Sequence, residues 1–144
     1  MLINRRRIQI EWGDCDAAGT VFFPRYVEYG DACSNGLFAQ VGLSKRAMLK
    51  TYNIAGIPVV DLRARFIVPS DFSDEVVYET SITEWGRSSF LVHHKVFRAD
   101  GVLALEIFER RVWVARVSDD PVRFQGQPIP EEVKKRFTDP ATGV

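Results

Sequence analysis

The chain has 144 residues, of which 46% are hydrophobic and 26% are charged, a composition typical of one folded domain with a single core. Lys and Arg together number 19, as do Asp and Glu, so the formal net charge is zero and no overall positive field attracts nucleic acid. No segment reaches the roughly 18 apolar residues of a membrane helix, and no signal peptide is visible. We therefore expect a cytoplasmic protein whose partners include neither nucleic acid nor a membrane.

The N-terminal segment "RRRIQIEW" alternates polar residues with Ile8, Ile10 and Trp12, which predicts a strand with one buried face. A loop of small and acidic residues follows. From Pro24 to Val41, apolar or small residues recur every three or four positions, which predicts one long helix. Pro24 suits the first helical position, because its missing N–H would be unbonded there anyway. Gly42 predicts the end of this helix.

The segment "SKRAMLKTYN" predicts a short second helix capped by Ser44, and after Gly56 the chain becomes rich in strands. One long helix cannot cover both faces of the resulting antiparallel sheet, so we expect a partner subunit on the other face. The tail from about residue 118 is rich in Pro and charge, so we expect it to pack loosely apart from one or two helical turns in "PEEVKKRF". The four predicted strands are "IPVVDLRARFIV", "EVVYETSITEW", "SSFLVHHKVFR" and "LALEIFERRVWVARV".

The cysteine and histidine residues do not indicate a disulfide framework or a metal site. Cys15 and Cys33 are too few for a disulfide framework and lack the spacing of a zinc site, so we expect reduced thiols. His93 and His94 would point to opposite faces of a strand and cannot share one metal ion. We expect one of these histidines to pack and the other to face solvent.

The loop "GDCDAAGTVFFP" brings Asp14 and Asp16 to the start of the long helix, where backbone N–H groups are unbonded and carry a positive partial charge. A carboxylate beside such amides suits acyl transfer, because the acid attacks or activates water while N–H groups near Phe23 stabilise the oxyanion. Phe22 and Phe23 would exclude water and seat an apolar acyl group. A plain turn with a capped helix explains the same Asp and Gly residues, so the residues alone leave both interpretations open.

The order G-D-C-D-x-A-G, aromatic residues, Pro and a helical Tyr resembles the hot-dog-fold acyl-CoA thioesterases, particularly 4-hydroxybenzoyl-CoA thioesterases with a catalytic Asp in this loop. The resemblance extends to about Arg116 and includes "YVEYGDACSNGLFAQVGL", "GIPVVDLRARF" and "ITEWGRSSF". It implies an α+β hot-dog domain over residues 1–144, with a long central helix wrapped by a five-stranded antiparallel sheet. It also implies a homodimer, and a homotetramer built from two dimers.

The resemblance places the catalytic acid at Asp16 and the amide that polarises the thioester carbonyl at Phe23. Asp14 would shape the loop, Phe22 would line the acyl site, and Asp31 would face the acyl pocket.

Residues that contact the phosphates of coenzyme A are implied after the Trp of the sheet. Arg87 and Ser89 match the family pattern, whereas Gly86 and Ser88 replace expected basic residues. Trp85 itself is either a ligand contact or a core anchor.

Arg63 and Arg65 provide a second possible phosphate contact. They stand two apart on a predicted strand and share a face, which suits a diphosphate. A solvated strand face is the plainer alternative.

The implied function is hydrolysis of an acyl-CoA thioester, with an aromatic acyl group such as 4-hydroxybenzoyl as the leading substrate. No metal or other cofactor is expected, because a carboxylate and helix-end amides suffice for this chemistry. Short-chain or medium-chain acyl-CoA and acyl-carrier-protein thioesters are alternative substrates, and a non-catalytic acyl-CoA-binding module is an alternative role.

Overall fold

The computed structural model describes residues 1–138, which form a five-stranded sheet, a two-stranded sheet and three α-helices. The elements in chain order are β1 (Asn4–Gln9), a 3₁₀ helix (Trp12–Asp14), α1 (Phe23–Gln40), α2 (Lys45–Tyr52), β2 (Val59–Phe66), β3 (Glu75–Trp85), β4 (Ser89–Arg98), β5 (Leu103–Val112), β6 (Val114–Asp119), β7 (Val122–Gly126) and α3 (Glu131–Thr138).

The five-stranded sheet is antiparallel throughout, with the strand order β1-β3-β4-β5-β2. One face packs on α1, and β2 lies at an edge. The core consists of two clusters of buried side chains along α1. The first includes Leu37, Phe38, Phe90, Trp113, Val133 and Phe137, and the second includes Tyr26, Cys33, Tyr78, Val96, Leu105 and Ile107. The predicted α+β architecture, a long helix against a five-stranded antiparallel sheet, is confirmed.

The helix boundaries agree closely with the local sequence signals. Helix α1 begins at Phe23, one residue before the predicted start, with Pro24 in its first turn. Gly42 follows the helix with φ +81°, a conformation that glycine adopts without a steric penalty. The Ser44 hydroxyl accepts a hydrogen bond from the Ala47 N–H at 3.2 Å, which confirms the predicted cap of α2.

The first strand is shorter than predicted, and Trp12 does not lie on its buried face. Strand β1 ends at Gln9, and the Trp12 side chain in the 3₁₀ helix is 65% exposed. The cause is local, because the Glu11 N–H donates to Asp14 Oδ2 at 3.0 Å in a capping box that turns the chain. The apolar alternation therefore ends at Ile10.

The last predicted strand is broken at Trp113. Its ring is 2% exposed in the core, and its backbone N–H donates to the Ser88 carbonyl at 2.8 Å. The Gln127 N–H in turn donates to the Trp113 carbonyl at 2.8 Å. The chain thus leaves the five-stranded sheet after β5 and pairs β6 with β7 in a separate hairpin.

The helical end of the described tail packs against the core, whereas residues 119–125 at the tip of the β6–β7 hairpin are exposed. Ile129, Val133 and Phe137 are buried, and the Phe137 ring centroid lies 4.8 Å from that of Phe38. The apolar pair at positions 133 and 137 has the spacing of one helix face, and this face joins the core. Residues 139–144 lie outside the described residues, so the single domain over 1–144 stays a prediction.

The sheet face opposite α1 carries a set of polar and aromatic contacts. The His93 ring stacks on Phe108 at a centroid distance of 4.5 Å, and its Nε2 lies 3.0 Å from Glu106 Oε1. The His93 side chain is only 14% exposed and His94 is fully buried, so the prediction that one histidine faces solvent is wrong for this chain. A partner subunit on this face stays a prediction. Within residues 1–138, no helix combines the length and apolar character needed to cross a membrane.

Candidate active site

Asp16 opens a tight turn directly before α1. Its Oδ1 accepts a hydrogen bond from the Ala18 N–H at 2.9 Å, and its backbone N–H donates to the Thr20 carbonyl at 2.9 Å. Gly19 closes the turn with φ +82° and donates its N–H to the Asp16 carbonyl at 3.0 Å. Asp16 is exposed, and Oδ2 receives no hydrogen bond from residues 1–138. One carboxylate oxygen is therefore fixed by the turn while the other is free to react.

Backbone hydrogen bonds fix the Asp16 turn to neighbouring segments on both sides. Cys15 pairs with Val21 across it, and the Phe72 N–H donates to the Gly19 carbonyl at 2.9 Å. The Phe22 N–H donates to the Asp14 carbonyl at 2.8 Å. These backbone bonds fix the path from Asp16 to the first turn of α1.

The first residue of α1 offers an unused amide. Pro24 has no N–H, and the Arg25 N–H donates to the Phe22 carbonyl at 2.8 Å. The Phe23 N–H has no acceptor among residues 1–138, as expected for the end of a helix. The side chains of Phe22 and Phe23 are 50% and 61% exposed. An electropositive donor and two apolar rings are thus available to a ligand beside the Asp16 turn.

Asp14 has a different environment from Asp16. Its Oδ2 accepts the Glu11 N–H, and its Oδ1 lies 3.8 Å from Arg25 Nε. Partial burial tends to raise the pKa of Asp14, but the Glu11 N–H, the Tyr29 hydroxyl and the Arg25 charge outweigh burial and lower that pKa. Asp14 therefore holds the loop together as an anion.

Neither cysteine is poised as a nucleophile. Both thiols are free. Burial raises the pKa of Cys33 to about 11, and desolvation together with nearby carboxylates raises the pKa of Cys15. A raised pKa lowers the thiolate fraction at neutral pH, and the thiolate is the reactive form.

Asp31 and Arg111 line both of two cavities of about 360 Å³ each. The first cavity is lined by Asp31, Asn35, Lys45, Met48, Ala55, Gly56, Ile57, Pro58, Arg111, Val114 and Phe124. The second is lined by Val27, Glu28, Asp31, Val59, Leu62, Glu109 and Arg111. Phe23 instead borders a separate cavity of about 230 Å³ with Tyr26 and Phe66.

The structure does not bring Asp31 together with Asp16 and Phe23 in one chain. Eight residues separate Phe23 from Asp31 on α1, which corresponds to about 12 Å along the helix axis. Asp16 borders none of these three cavities.

The turn between β3 and β4 presents Arg87. The Gly86 N–H donates to the Ser89 carbonyl at 2.7 Å, which closes the turn. Arg87 is exposed, and its guanidinium has no ion pair within residues 1–138. Ser89 is half-buried. Trp85 packs against Phe137 with the ring centroids 5.4 Å apart, so in this chain it anchors the core.

Arg63 and Arg65 share the sheet face opposite α1, as their spacing predicts. The Arg63 guanidinium lies 4.7 Å above the Phe108 ring, and Arg65 Nη2 lies 3.6 Å from Glu106 Oε2. Both cations are therefore already engaged within the chain.

A buried polar network under α1 was not predicted. Ser34 Oγ donates to Glu109 Oε1 at 2.6 Å, and Arg111 Nε donates to the same oxygen at 2.9 Å. His94 Nε2 lies 3.1 Å from Glu109 Oε2, and its Nδ1 lies 2.8 Å from Thr80 Oγ1. All five side chains are at most 4% exposed. The alternation of buried and exposed residues in β5 could have identified two of these side chains from the sequence. Glu109 and Arg111 continue the buried face of β5 after Leu105 and Ile107.

This network is not a serine hydrolase triad, although it contains Ser34, His94 and Glu109. Because the Glu109 carboxylate only accepts hydrogen bonds, His94 Nε2 carries the proton and Nδ1 accepts from Thr80 when the ring is neutral. Glu109 and Ser34 thus meet the same ring nitrogen, whereas a triad needs them on opposite nitrogens. Ser34 and His94 are also fully buried, so no substrate reaches them in this structure. Within residues 1–138, no three His, Cys, Asp or Glu side chains are arranged to hold a metal ion.

The sequence over residues 10–137 matches the thioesterase-like superfamily. The chain belongs to this superfamily. The 4-hydroxybenzoyl-CoA thioesterase of Pseudomonas sp. (strain CBS-3) is 41% identical over 91 residues, which is 62% of this chain and 64% of that enzyme. The aligned stretch therefore spans a little under two thirds of that relative.

Solved structures of thioesterases have the same fold. A 4-hydroxybenzoyl-CoA thioesterase, crystallised as an aspartate-to-asparagine mutant with 4-hydroxybenzoyl-CoA, superposes with a TM-score of 0.85 at 30% identity, covering 92% of this chain and 96% of that one. A gentisyl-coenzyme A thioesterase gives a TM-score of 0.76 at 28% identity, covering 91% and 99%. The predicted family, hot-dog fold and enzyme class, a thioesterase, are confirmed.

Proposed function

We propose that this chain hydrolyses an aromatic acyl-CoA thioester, 4-hydroxybenzoyl-CoA or a close hydroxylated analogue, to the free acid and coenzyme A in the cytoplasm. The observation that carries the proposal is the exposed Asp16 carboxylate, with one free oxygen, immediately before a helix whose Phe23 amide is unused. Relatives named for 4-hydroxybenzoyl-CoA and gentisyl-CoA support an aromatic acyl group.

In the proposed reaction, the thioester carbonyl oxygen accepts a hydrogen bond from the Phe23 N–H. The positive end of α1 stabilises the negative charge that develops there. The free oxygen of Asp16 attacks the carbonyl carbon, the C–S bond breaks and coenzyme A leaves as its thiolate. Water then hydrolyses the mixed anhydride, which releases the acid and restores Asp16. The small side chains of Ala17 and Ala18 leave room for this approach.

Activation of water by Asp16 is the other route to the same products. In that route, Asp16 takes a proton from water, and the water oxygen attacks the carbonyl carbon while the thiolate leaves. The geometry of the turn suits both routes, because the free carboxylate oxygen can act as nucleophile or as base.

A second subunit would complete the acyl site. A benzoyl ring bound at Phe23 is too short to reach Asp31 about 12 Å away on the same helix, so we assign the acyl contact to Asp31 of the partner subunit. The edge strand β2 supports a homodimer, because Val59, Leu62 and Phe66 leave apolar side chains exposed on it. A homotetramer of two such dimers belongs to the same proposal.

Coenzyme A would be bound mainly by Arg87. Its exposed guanidinium is free to meet a phosphate, with Ser89 and Trp85 beside it on the same turn. Arg63 and Arg65 are weaker candidates, because binding a phosphate would compete with their contacts to Phe108 and Glu106.

The test is hydrolysis of benzoyl-CoA, 4-hydroxybenzoyl-CoA, phenylacetyl-CoA and aliphatic CoA esters by wild type and two matched variants. Asp16→Asn should lower kcat by about 100-fold or more while binding persists, because it removes the reactive charge and keeps the side-chain size. Asp14→Asn should lower kcat much less. Near-normal turnover by Asp16→Asn would remove the catalytic assignment. A wild type that binds these esters without hydrolysing any would be a binding module.

A further inference from the structure

The buried network under α1 is connected through Arg111 to an exposed carboxylate, Asp31. Each nitrogen of the Arg111 guanidinium has its own acceptor, at 2.9 Å in every case: Nε donates to Glu109, Nη1 to the Ile57 carbonyl and Nη2 to Asp31 Oδ1. The Arg111 side chain is 4% exposed, whereas the Asp31 side chain is 61% exposed. Arg111 therefore connects the protein interior to a carboxylate that a ligand can reach.

Arg111 has little freedom to leave this position. Three separate acceptors fix the plane of its guanidinium, and Glu109 is itself held by Ser34 and His94. Burial alone would raise the pKa of Glu109, but His94 and Arg111 outweigh burial and lower the pKa to about 2, so the anion that faces Arg111 persists at neutral pH. A rotation of Arg111 away from Asp31 would disturb this buried ion pair.

The fixed Arg111 guanidinium holds Asp31 at the wall of both cavities. Asp31 and Arg111 line both of the 360 Å³ cavities, and Asp31 Oδ2 receives no hydrogen bond from the residues between 1 and 138. A carboxylate with one oxygen fixed and the other free is a directed acceptor for a hydroxyl group. Sites built to bind a substrate hydroxyl discriminate strongly against analogues that lack it.

We infer that Arg111 is a positioning residue that orients the Asp31 carboxylate at the cavity wall and thereby sets a preference for acyl groups that carry a hydrogen-bond donor. The inference rests on the proposed function, because the acyl group is what the cavities would receive. Ser34 and His94, which are fully buried, act through Glu109 and Arg111 and do not touch the ligand.

The experiment compares 4-hydroxybenzoyl-CoA with benzoyl-CoA, which lacks the hydroxyl group. Arg111→Lys keeps a buried cation, but one ammonium group cannot meet Glu109, the Ile57 carbonyl and Asp31 together. We expect the ratio of kcat/KM for the two esters to fall by about tenfold or more, with benzoyl-CoA changed by less than about threefold. Equal losses for both esters would mean that Arg111 only stabilises the fold, and would overturn the inference.

Two further variants keep the test decisive. Arg110→Lys, on the opposite sheet face beside Glu84, is the matched control and should leave the ratio unchanged. Asp31→Asn leaves Arg111 and its buried partners in place, so it should lower the ratio by a similar factor even if Arg111→Lys folds poorly. The double variant should lose no more than either single variant, because both act on one contact. An unchanged ratio in Asp31→Asn would overturn the inference.

A binding measurement separates this inference from the proposed hydrolysis. Calorimetric dissociation constants for both esters are measured in the Asp16→Asn background, with and without Arg111→Lys. A hydroxyl preference that depends on Arg111 without any wild-type turnover would refute the proposed function and support the inference. Wild-type turnover together with a hydroxyl preference that Arg111→Lys does not alter would support the proposed function and overturn the inference. No binding of either ester would overturn both.

Discussion

Acid should destabilise this fold through one buried carboxylate, Glu109. Burial alone would raise its pKa, but hydrogen bonds and charge from His94 and Arg111 lower the pKa from an ordinary 4.5 to about 2. At about 1.4 kcal/mol per pH unit, this depression corresponds to about 3 kcal/mol of stability. Because the folded pKa is the lower one, this stability is present above about pH 4.5 and is lost as the pH falls towards about 2.

The perturbation is Glu109→Gln, whose amide cannot titrate. Free energies of unfolding from urea titrations between about pH 6 and about pH 2.5 should fall by about 2.5 kcal/mol more for wild type than for this variant. Near pH 6 the variant itself should be less stable by about 3–5 kcal/mol, since Arg111 loses its buried counter-charge. Circular dichroism at that pH checks that the variant folds.

The matched control is Glu84→Gln, which removes an exposed partner of Arg110 and should follow the wild-type curve within about 0.5 kcal/mol. Other carboxylates titrate in all three proteins and cancel in the comparison. Parallel acid curves for wild type and Glu109→Gln would refute the reasoning, because Glu109 would then carry no linked stability.

Two further predictions concern the tail and coenzyme A. Phe137→Ala should lower the free energy of unfolding by about 3–5 kcal/mol, because the ring packs against Phe38 and Trp85. The control Phe124→Ala removes an exposed ring and should lower the free energy of unfolding by less than about 0.5 kcal/mol. Equally small losses in both variants would place α3 outside the core. Arg87→Ala should raise KM for CoA esters with kcat nearly unchanged, because a remote phosphate contact is equal in ground and transition states. A pantetheine thioester should be hardly affected, and equal losses for both substrates would make Arg87 structural.

The sequence by itself determined the features that depend on neighbouring residues. Pro24 and Gly42 locate the ends of α1, and Ser44 caps α2, because capping and left-handed backbone conformations are satisfied within one or two turns. The turn at Asp16 closes on Gly19, three residues away, so its motif could be recognised and matched to a family. Alternation likewise located the strands of the sheet.

Local patterns failed where a distant partner decides the outcome. The strand after β5 breaks at Trp113 because hydrogen bonds to Ser88 and Gln127 redirect the chain. Phe137 enters the core because it meets Phe38, about a hundred residues earlier. From its composition alone, such a charged tail is predicted to pack loosely.

The buried network required the tertiary structure for the same reason. Ser34, His94 and Glu109 come from one helix and two strands, and no short window of sequence contains more than one of them. Each would be costly to bury alone, and only the packing of α1 on the sheet supplies the partners that make burial tolerable. The separation of Asp31 from Phe23 is equally a matter of tertiary position, because a motif lists residues without saying how far apart the fold holds them.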